Sequence, residues 1–226
     1  MDAVQIVKAK DMTQKTNGAV AIFVKTPSLS PIKTRLAEGV GENAALEFYH
    51  LSLKAVEQTV RCSGVEAYWA VAETEGLEYP LWSNLTTLHS GEGDLGARQW
   101  HVYETLRREY KNIILIGADA PQLSPDIIER AIAALDEHDF VISPARDGGY
   151  TLFGGCAEVA KDVWGQVPWS AENTREVFES LLPSKPSHLP AFTDVDVQED
   201  LQAVLVEMPD IVSEQQQALI DWVVNL

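Results

Sequence analysis

The sequence is poor in positive charge. Its 17 Lys and Arg residues are outnumbered by 34 Asp and Glu residues, which gives a formal net charge of -17 at pH 7. The acidic residues are spread along the chain, and their field repels phosphate backbones, so we expect no nucleic-acid partner. A small anionic ligand would need nearby Lys, Arg or metal to overcome the same repulsion. Any local cluster of basic residues is therefore informative.

Several common functional signatures are also missing. The two cysteines, Cys62 and Cys156, show neither C-x-x-C nor Cys/His spacing, which predicts two small buried residues and no zinc site or disulfide framework. There is no nucleophile elbow and no P-loop, and the five histidines lack metal-ligand spacing. The longest apolar stretches are strand-sized and no secretion signal is evident, so we expect a cytoplasmic protein without membrane contact.

The order of apolar segments predicts an α/β fold. Residues 1–17 are mostly polar and are predicted to form an N-terminal arm, and residues 18–226 a single domain. The pattern predicts strands at 19–25, 65–72, 86–89, 112–116, 140–143, 150–153 and 187–195, and helices at 42–61, 94–109, 125–135, 157–164, 171–182 and from 198 and 213. Such alternation indicates three layers, with a mostly parallel, mixed central sheet flanked by helices. Ligands of such folds bind beyond the carboxyl ends of strands, so functional residues should follow strands.

A basic loop follows the first predicted strand. Residues 25–36 contain Lys25, Lys33 and Arg35, three of the 17 basic residues. Lys33 can offer a point charge and Arg35 a bidentate fork to phosphate oxygens, and Thr34 or backbone amides can complete the cradle. An equally weighted alternative is a solvated loop stiffened by two prolines.

A glycine-rich segment opens the helix predicted at 94–109. Residues 91–96 match G-x-G-x-x-G, which imitates a dinucleotide-binding fingerprint. The preceding strand is short and polar, however, and Asp94 would place a carboxylate beside a pyrophosphate, so we disfavour that interpretation. Asp94 fits better as the helix N-cap, while the glycines, among them Gly93, allow the backbone to approach either another strand or a nucleotide, at its base or its ribose.

An aspartate follows the most apolar strand. Asp119 comes directly after the segment 112–116 and the small residues Gly117 and Ala118. A hard cation such as Mg²⁺ or Mn²⁺ is usually held by one or two carboxylates, with ligand phosphates and waters completing the shell. Asp119 is therefore a candidate metal ligand. The alternative is that it caps the turn that Pro121 forces.

Later strand ends supply further candidates. The loop after the strand at 140–143 is predicted either to contact the substrate or to form a simple hairpin turn, and it contains Arg146, Asp147, Gly148, Gly149 and Tyr150. At the end of the last predicted strand we expect Asp194 and Asp196 to point to opposite faces, with only one of them entering the site, and either can instead cap the following helix. Trp169 and Ser170 can line a pocket, although core packing is the default for tryptophan.

Six short segments, taken in order, form one pattern: Val24-Lys25-Thr26-Pro27, Lys33-Thr34-Arg35-Leu36, residues 91–98, Gly117-Ala118-Asp119-Ala120-Pro121, residues 144–150 and Trp169-Ser170. Over residues 18–206 the chain resembles a bacterial family of glycosyltransferase-like proteins found with radical SAM, selenoprotein-like or arsenosugar genes. The resemblance implies the GT-A nucleotide-diphospho-sugar transferase fold. The chain departs from the family at Ser30, where a glycine is usual, and this could alter how closely backbone amides approach a phosphate.

The resemblance also implies roles for individual residues. Lys33 and Arg35 match a phosphate-contacting loop, Asp119 matches a metal-binding aspartate, and Asp147 matches a further site residue. Asp196 is similar in position to a second metal ligand of related nucleotidyltransferases. The implied function is Mg²⁺- or Mn²⁺-dependent transfer of a sugar from a nucleotide diphosphate sugar to a small-molecule acceptor.

Two other functions stay open at this point. The segment 33–36 also looks like the equivalent loop of phospholactate guanylyltransferase-like proteins, which implies nucleotidyl transfer with release of pyrophosphate. A catalytically silent nucleotide-binding protein would retain the same fold, because fold does not fix chemistry. The oligomeric state is undetermined, and a homodimer is one alternative.

Overall fold

The computed structural model describes residues 16–226. The predicted N-terminal arm lies outside the described residues, except for its last two positions, which open the first strand. The strands are β1 Thr16–Val24, β2 Glu66–Val71, β3 Thr86–His89, β4 Tyr110–Gly117, β5 Phe140–Pro144, β6 Tyr150–Gly155 and β7 Ser187–His188. The α-helices are α1 Thr34–Val40, α2 Glu42–Cys62, α3 Leu95–Arg107, α4 Pro125–Ala134, α5 Lys161–Gly165, α6 Thr174–Leu181, α7 Asp200–Val206 and α8 Glu214–Val224, and short 3-10 helices span Thr74–Gly76 and Pro80–Trp82.

The strands form one mixed sheet in the order β3-β2-β1-β4-β6-β5-β7. Pairing is parallel except at β6, which runs antiparallel to both β4 and β5. Residues 145–149 are a short connection between the neighbouring strands β5 and β6, and a connection of this length can join neighbouring strands only if they are antiparallel. The predicted α/β fold with a mostly parallel, mixed sheet flanked by helices is therefore confirmed.

The central strands are buried on both faces. In β1, Val20 and Ile22 face a core cluster that includes α2 and α4, while Ala19 and Ala21 face a second cluster on the opposite side with α3, α5 and α6. All four side chains have no solvent exposure. This double burial explains why the central strands read as continuous apolar runs instead of alternating patterns.

A third, smaller core cluster fixes the segments that border the functional end of the sheet. Leu36 of α1 and Val195 of the chain before α7 both pack against Phe48 of α2 and Leu219 of α8, and all four are fully buried. Burying one such aliphatic side chain contributes about 1.5–3 kcal/mol. Helix α1 and the 195 region are thereby held on the same side of the molecule.

Two segments differ from the sequence-based expectation. Helix α1 falls within a stretch predicted as loop; it has only seven residues, and its stability depends on the buried contact of Leu36, which local pattern does not reveal. The strand predicted at 187–195 is regular only in β7. Beyond it, Pro190 cannot donate to a ladder, and the chain continues beside β5 through single bonds such as Phe192 N to Pro144 O at 3.0 Å.

The cysteines also differ from expectation. Cys62 ends α2 and is exposed, and Cys156 is half-buried, so the prediction of two buried residues was wrong. Both thiols are free. Among residues 16–226, every helix is too short or too polar to cross a membrane.

Candidate active site

A cavity of about 780 Å³ opens at the carboxyl ends of the parallel strands. It is lined by the ends of β1, β2 and β4, by the start of β6, and by the loop after β1. Parallel neighbours expose their carboxyl ends at one edge of a sheet, which is where ligands of this fold class bind. The predicted site residues that line it are Lys25, Lys33, Thr34, Arg35, Asp119, Tyr150, Ser170 and Asp196.

The loop after β1, residues 25–33, carries the predicted phosphate contacts and is called the first loop below. Lys33 ends it with a left-handed backbone (φ 47°) and directly precedes α1. Its side chain is only 9% exposed, its Nζ lies 2.8 Å from Asp119 Oδ2, and it also donates to Val195 O. Arg35 is 69% exposed and pairs through Nη1 with Asp196 Oδ2 at 2.5 Å. The two predicted phosphate-binding cations thus meet the two predicted metal ligands.

The first loop is anchored by a residue that sequence reasoning missed. Glu73 accepts a hydrogen bond from Thr26 N at 2.8 Å and another from the Ser30 hydroxyl. On the other side, the Tyr49 hydroxyl donates to Lys25 O at 2.7 Å. Glu73 follows directly after β2, so a search for polar residues at every strand end would have found it. It now joins the ends of β2 and β1 across the cavity mouth.

Backbone strain is concentrated beside this cavity. Among residues 16–226, the non-glycine residues with positive φ are Ser28 (72°), Lys33 (47°) and Ser170 (63°). Ser28 and Lys33 belong to the first loop, and Ser170 lines the cavity. Such conformations cost about 1–3 kcal/mol each and tend to cluster at functional sites. The distribution therefore agrees with a binding role for this edge of the sheet.

Asp119 lies where β4 leaves the sheet. Its side chain is 39% exposed, and its backbone is fixed because Val195 N donates to Asp119 O at 3.0 Å. The Ser52 hydroxyl of α2 donates to the neighbouring Ala118 O at 2.5 Å. A partly exposed carboxylate on a rigid backbone suits a site for a hard cation.

Three carboxylates converge near this point. Burial, and then the negative charges of Asp147 and Asp119, raise the pKa of Asp194 to about 6. Asp194 therefore lies near enough to Asp119 and Asp147 for their charges to act on it, and Asp196 lines the cavity and pairs with Arg35. The expectation that Asp194 and Asp196 point to opposite faces was wrong, because side chains two residues apart in a strand share a face. The chain at 194–196 is also no longer part of a strand, and both carboxylates lie at this end of the sheet.

The loop between β5 and β6 is held firmly. Gly149 N donates to Asp147 Oδ1 at 2.8 Å, which turns the exposed Asp147 back on its own loop. Gly148 has φ 96° and packs against the backbone of Glu172. Arg146 pairs with Glu207 at 2.6 Å, so its charge is compensated outside the cavity. The hairpin that the sequence left as an alternative is thus present, and it also brings Asp147 near Asp194.

The glycine-rich segment borders the opposite end of the cavity, which is lined there by Ser90, Leu95 and Arg98 but not by Gly93 or Asp94. Asp94 caps α3 by accepting from Ala97 N at 2.9 Å, as the sequence suggested. Gly93 has φ 98° and its carbonyl accepts from Arg98, which also bonds Ala72 O and the Ser90 hydroxyl at 3.0 Å each. Since α3 follows β3, at the edge of the described sheet, the segment does not occupy the first βα turn of a dinucleotide-binding unit.

Trp169 has a packing role. Its indole Nε1 donates to Trp164 O at 2.9 Å, and its ring stacks on Trp164 at 6.2 Å. A Cβ at Gly96 would lie 2.1 Å from Trp169 Nε1, so this helix start closes tightly on the ring. Nearby, the Tyr150 hydroxyl donates to Gln99 Oε1 at 2.6 Å. Of these residues Tyr150 and Gln99 line the cavity, and Trp169 is not among its lining residues.

The carboxylates present suit a hard divalent cation. Asp119 and Asp196 both line the cavity, and oxygen ligands are what Mg²⁺ and Mn²⁺ prefer. Within residues 16–226, no three His, Cys, Asp or Glu side chains are gathered closely enough to hold a metal by themselves. The donor set fits a cation that shares its shell with a phosphate ligand, as Mg²⁺ commonly does.

Glu207 stabilises two of the loops at this edge. It accepts from Thr193 N at 2.7 Å, from the Thr193 hydroxyl at 3.0 Å and from Gln122 Nε2 at 3.1 Å, besides its pair with Arg146. Burial alone would raise the pKa of Glu207, but the hydrogen bonds from Thr193, Arg146 and Gln122 outweigh it and hold the pKa below the usual value. The carboxylate thus joins the segment before Asp194 to the loop that carries Asp147.

We expect Glu207→Gln to destabilise the protein by about 2 kcal/mol at pH 7, because the amide NH₂ would face backbone and side-chain donors. Since the folded pKa is depressed, this stabilisation is fully present above the unfolded pKa and is lost as pH falls through the folded value. Urea unfolding should therefore show a wild-type advantage at pH 7 that shrinks below about pH 4. Asp136→Asn, which removes an exposed carboxylate paired with Lys111, should change stability by less than about 1 kcal/mol. Equal effects of the two substitutions would contradict the assignment.

Comparison with known proteins agrees with this architecture. A provisionally named nucleotide-diphospho-sugar transferase from Desulfovibrio desulfuricans G20 superimposes with a TM-score of 0.78 at 24% identity, covering 92% of this chain and 98% of that one. The 4-diphosphocytidyl-2C-methyl-D-erythritol synthase from Anaerococcus prevotii DSM 20548 gives 0.55 at 14% identity, covering 84% and 97%. A CMP:2-keto-3-deoxy-manno-octonic acid synthetase solved with CTP gives 0.52 at 12% identity, covering 85% and 97%. At these identities the likeness establishes the fold of nucleotide-diphospho-sugar transferases and cytidylyltransferases, and the fold alone.

Sequence comparison identifies the family. No curated protein matches the chain. The sequence profile of a family of uncharacterized proteins conserved in bacteria, DUF2064, matches residues 52–171, just over half of the 226 residues. The matched region includes the glycine-rich segment, Asp119 and the loop of Asp147. The chain therefore belongs to the DUF2064 family.

Proposed function

We propose that the protein is a metal-dependent transferase that binds a nucleotide diphosphate sugar in this cavity and passes the sugar to a small-molecule acceptor. The observation that carries the proposal is the meeting of Lys33 and Asp119 at 2.8 Å, at the carboxyl ends of adjacent parallel strands. A cation-binding carboxylate and a phosphate-binding cation are both needed to hold a diphosphate in a strongly acidic protein. This pair supplies both within one cavity.

The first loop would hold the diphosphate. Lys33 offers a point charge and Arg35 a planar fork, and Thr34 adds a hydroxyl at the start of α1. Lys25 is exposed at the same edge and adds positive charge. A divalent cation held by Asp119 and Asp196 would neutralise charge that develops on the departing nucleoside diphosphate. The nucleoside would extend toward Gly93 and Asp94, where Arg98 holds the chain ends of β2 and β3 together.

The acceptor would approach from the side of β6. In the transfer, the acceptor oxygen forms a bond to the anomeric carbon as the bond from that carbon to the diphosphate oxygen breaks. The acceptor proton must pass to a base, and Asp147 is the candidate, since it is exposed and unpaired with any cation in the described residues. Tyr150 and Ser170 line this half of the cavity, whereas Arg146 and the glycines Gly148 and Gly149 shape the loop.

The charge of this half favours sugar transfer to a neutral acceptor. Its lining near β6 consists of Gln99, Tyr150, Thr151 and Ser170, and the basic residues that line the cavity, Lys25, Lys33, Arg35 and Arg98, lie in the first loop or at the nucleoside end. A phosphorylated or carboxylated acceptor would need a cation there, and none of these four lining residues is basic. Asp147 and Asp194, outside the lining, add negative charge at this end of the sheet. Such an acceptor is what the alternative nucleotidyl transfer requires.

Nucleotidyl transfer remains the second candidate because two solved proteins with this fold are cytidylyltransferases. In that reaction the substrate oxygen attacks the α-phosphate of a nucleoside triphosphate and pyrophosphate leaves. The same first loop would serve. A third candidate is a silent nucleotide-binding protein, and the association with radical SAM, selenoprotein-like or arsenosugar genes stays a prediction in every case.

Product analysis separates these candidates. Purified protein with Mn²⁺ is incubated with common nucleotide sugars and neutral polyols, and separately with nucleoside triphosphates and phosphorylated acids. We expect release of a nucleoside diphosphate from one nucleotide sugar, and its loss in Lys33→Gln but not in Lys111→Gln, where the exposed lysine pairs with Asp136. Release of pyrophosphate from a nucleoside triphosphate, without release of a nucleoside diphosphate from any nucleotide sugar, would establish nucleotidyl transfer. Tight nucleotide binding without either product would establish the third.

A further inference from the structure

Two ion pairs connect the first loop and α1 to the opposite wall of the cavity. Lys33 pairs with Asp119 at 2.8 Å and Arg35 pairs with Asp196 at 2.5 Å. On the proposed function, each pair joins a group meant for the phosphates to a group meant for the divalent cation. The two cationic side chains are therefore not available to a phosphate, and the two carboxylates are not available to a divalent cation, until the ion pairs are broken.

The charges of the diphosphate, the divalent cation and the paired side chains determine how the two ion pairs are broken. A diphosphate arriving alone would meet two neutralised cations and the further carboxylates of Asp147 and Asp194. A divalent cation arriving alone would have to compete with Lys33 and Arg35 for their carboxylates. When both arrive, the two positive charges of the cation replace those of Lys33 and Arg35 at the carboxylates, and the two side chains are released to the diphosphate.

We infer that these ion pairs couple the two ligands: the divalent cation and the diphosphate each bind more tightly in the presence of the other, because each completes the exchange that the other begins. This inference rests on the proposed function and deepens it. Coupling of this kind is reciprocal, since both ligands bias one equilibrium between paired and exchanged states. The coupling also weakens the binding of free phosphate alone and of free cation alone, both of which are abundant in cells.

The two pairs contribute unequally. Lys33 is 9% exposed and has a second bond to Val195 O, and its partner Asp119 is 39% exposed, so solvent reaches this pair mainly from the carboxylate side. Arg35 and Asp196 are 69% and 47% exposed, and exposed ion pairs are weak and screened by salt. The Lys33–Asp119 pair should therefore carry most of the coupling.

The first experiment uses inorganic pyrophosphate as a base-independent probe and EDTA to remove metal. Isothermal titration should show weak binding to the wild-type protein and binding about tenfold or more tighter in Asp119→Asn, where Lys33 is freed. Asp196→Asn should gain about threefold or less. Asp147→Asn is the matched control: it removes a neighbouring negative charge but frees no cation, so it reports the general electrostatic effect alone. Lys33→Met added to Asp119→Asn should abolish the gain.

The reverse experiment measures the cation. Mn²⁺ titration without any phosphate should show tighter binding to Lys33→Met than to the wild-type protein, because Asp119 no longer has a competing partner. Circular dichroism and thermal unfolding establish that each variant is folded, and the two arms use different variants. Neither readout depends on catalysis.

The outcomes distinguish this inference from the proposed function. If wild-type protein without metal binds pyrophosphate as tightly as Asp119→Asn does, the exchange is wrong while the phosphate site stands. If Asp147→Asn gains as much as Asp119→Asn, the gain is bulk electrostatics and the exchange is again wrong. If no variant binds pyrophosphate with or without Mn²⁺, the phosphate site itself is absent and both proposals fall.

Discussion

Asp119→Asn should abolish the metal-dependent part of nucleotide binding and lower transfer by at least about a hundredfold, the loss typical when a group that stabilises transition-state charge is removed. The amide keeps the size of the side chain and can still bond its neighbours, but it lacks the negative charge that attracts a hard cation. The backbone at this position is fixed by Val195 N and lies beside the buried Ala118, so the fold should survive. Titration of a nucleotide with Mn²⁺ and then with EDTA measures the effect.

The matched control is Asp126→Asn. Asp126 lies in the first turn of α4, is 70% exposed and pairs loosely with Arg130 at 3.7 Å. It should leave nucleotide binding within about twofold of wild type, since it alters the net charge equally at a remote surface. Metal-dependent binding that persists undiminished in Asp119→Asn would show that this carboxylate is not the cation ligand.

Gly148→Ala should destabilise the protein by about 3 kcal/mol or more. A Cβ at this position would lie 1.8 Å from Glu172 O and 2.5 Å from its carbonyl carbon, and both are backbone atoms that cannot rotate away. The residue also has φ 96°, which alanine rarely adopts, and its carbonyl accepts from Arg175 N at 3.0 Å. Relief of the clash would therefore break the contact between the Asp147 loop and α6. Thermal unfolding should show a fall in Tm of about 10 °C.

Alanine substitutions at two other glycines separate the contribution of backbone strain from that of the steric clash. Gly64 also has positive φ, at 72°, but nothing lies within 4 Å of its Cβ position, so Gly64→Ala reports backbone strain alone, about 1 kcal/mol. Gly165, at the end of α5, has open space and no positive φ, so Gly165→Ala should be neutral or slightly stabilising. If Gly148→Ala proved no worse than Gly64→Ala, the close packing of the loop on Glu172 would be wrong.

Sequence reasoning placed Lys33 and Asp119 at one edge of the sheet because of a general property of parallel sheets. Lys33 and Asp119 are far apart in the chain, but both follow strands that proved to be adjacent and parallel, so their segments meet at one edge. Burial of β1 and β4 on both faces also followed from their continuous apolar composition. Both the position of these residues after strands and the burial of the strands follow from the order of apolar and polar residues in the sequence.

Other features depend on long-range contacts and could not be predicted in the same way. A search at strand ends would find Glu73 itself, but the hydrogen bonds of Glu73 to Ser30 and of Glu207 to Thr193 join distant parts of the chain, and no spacing rule predicts them. Helix α1 depends on a tertiary contact of Leu36. The relation of Asp194 to Asp196 was open because it depends on where the last strand ends, and that in turn depends on Pro190.

We propose above all that Lys33 and Arg35 bind the phosphates of a nucleotide while Asp119 binds a divalent cation. A thermal-shift comparison of the wild-type protein with Lys33→Gln tests this. Each protein is screened with nucleoside diphosphates, triphosphates and nucleotide sugars, with Mn²⁺ and then with EDTA. We expect at least one nucleotide to raise the Tm of the wild-type protein by about 5–10 °C with Mn²⁺ and much less with EDTA, and to raise the Tm of Lys33→Gln little in either condition. Stabilisation that is equal in all four conditions, or absent from all nucleotides, would contradict it.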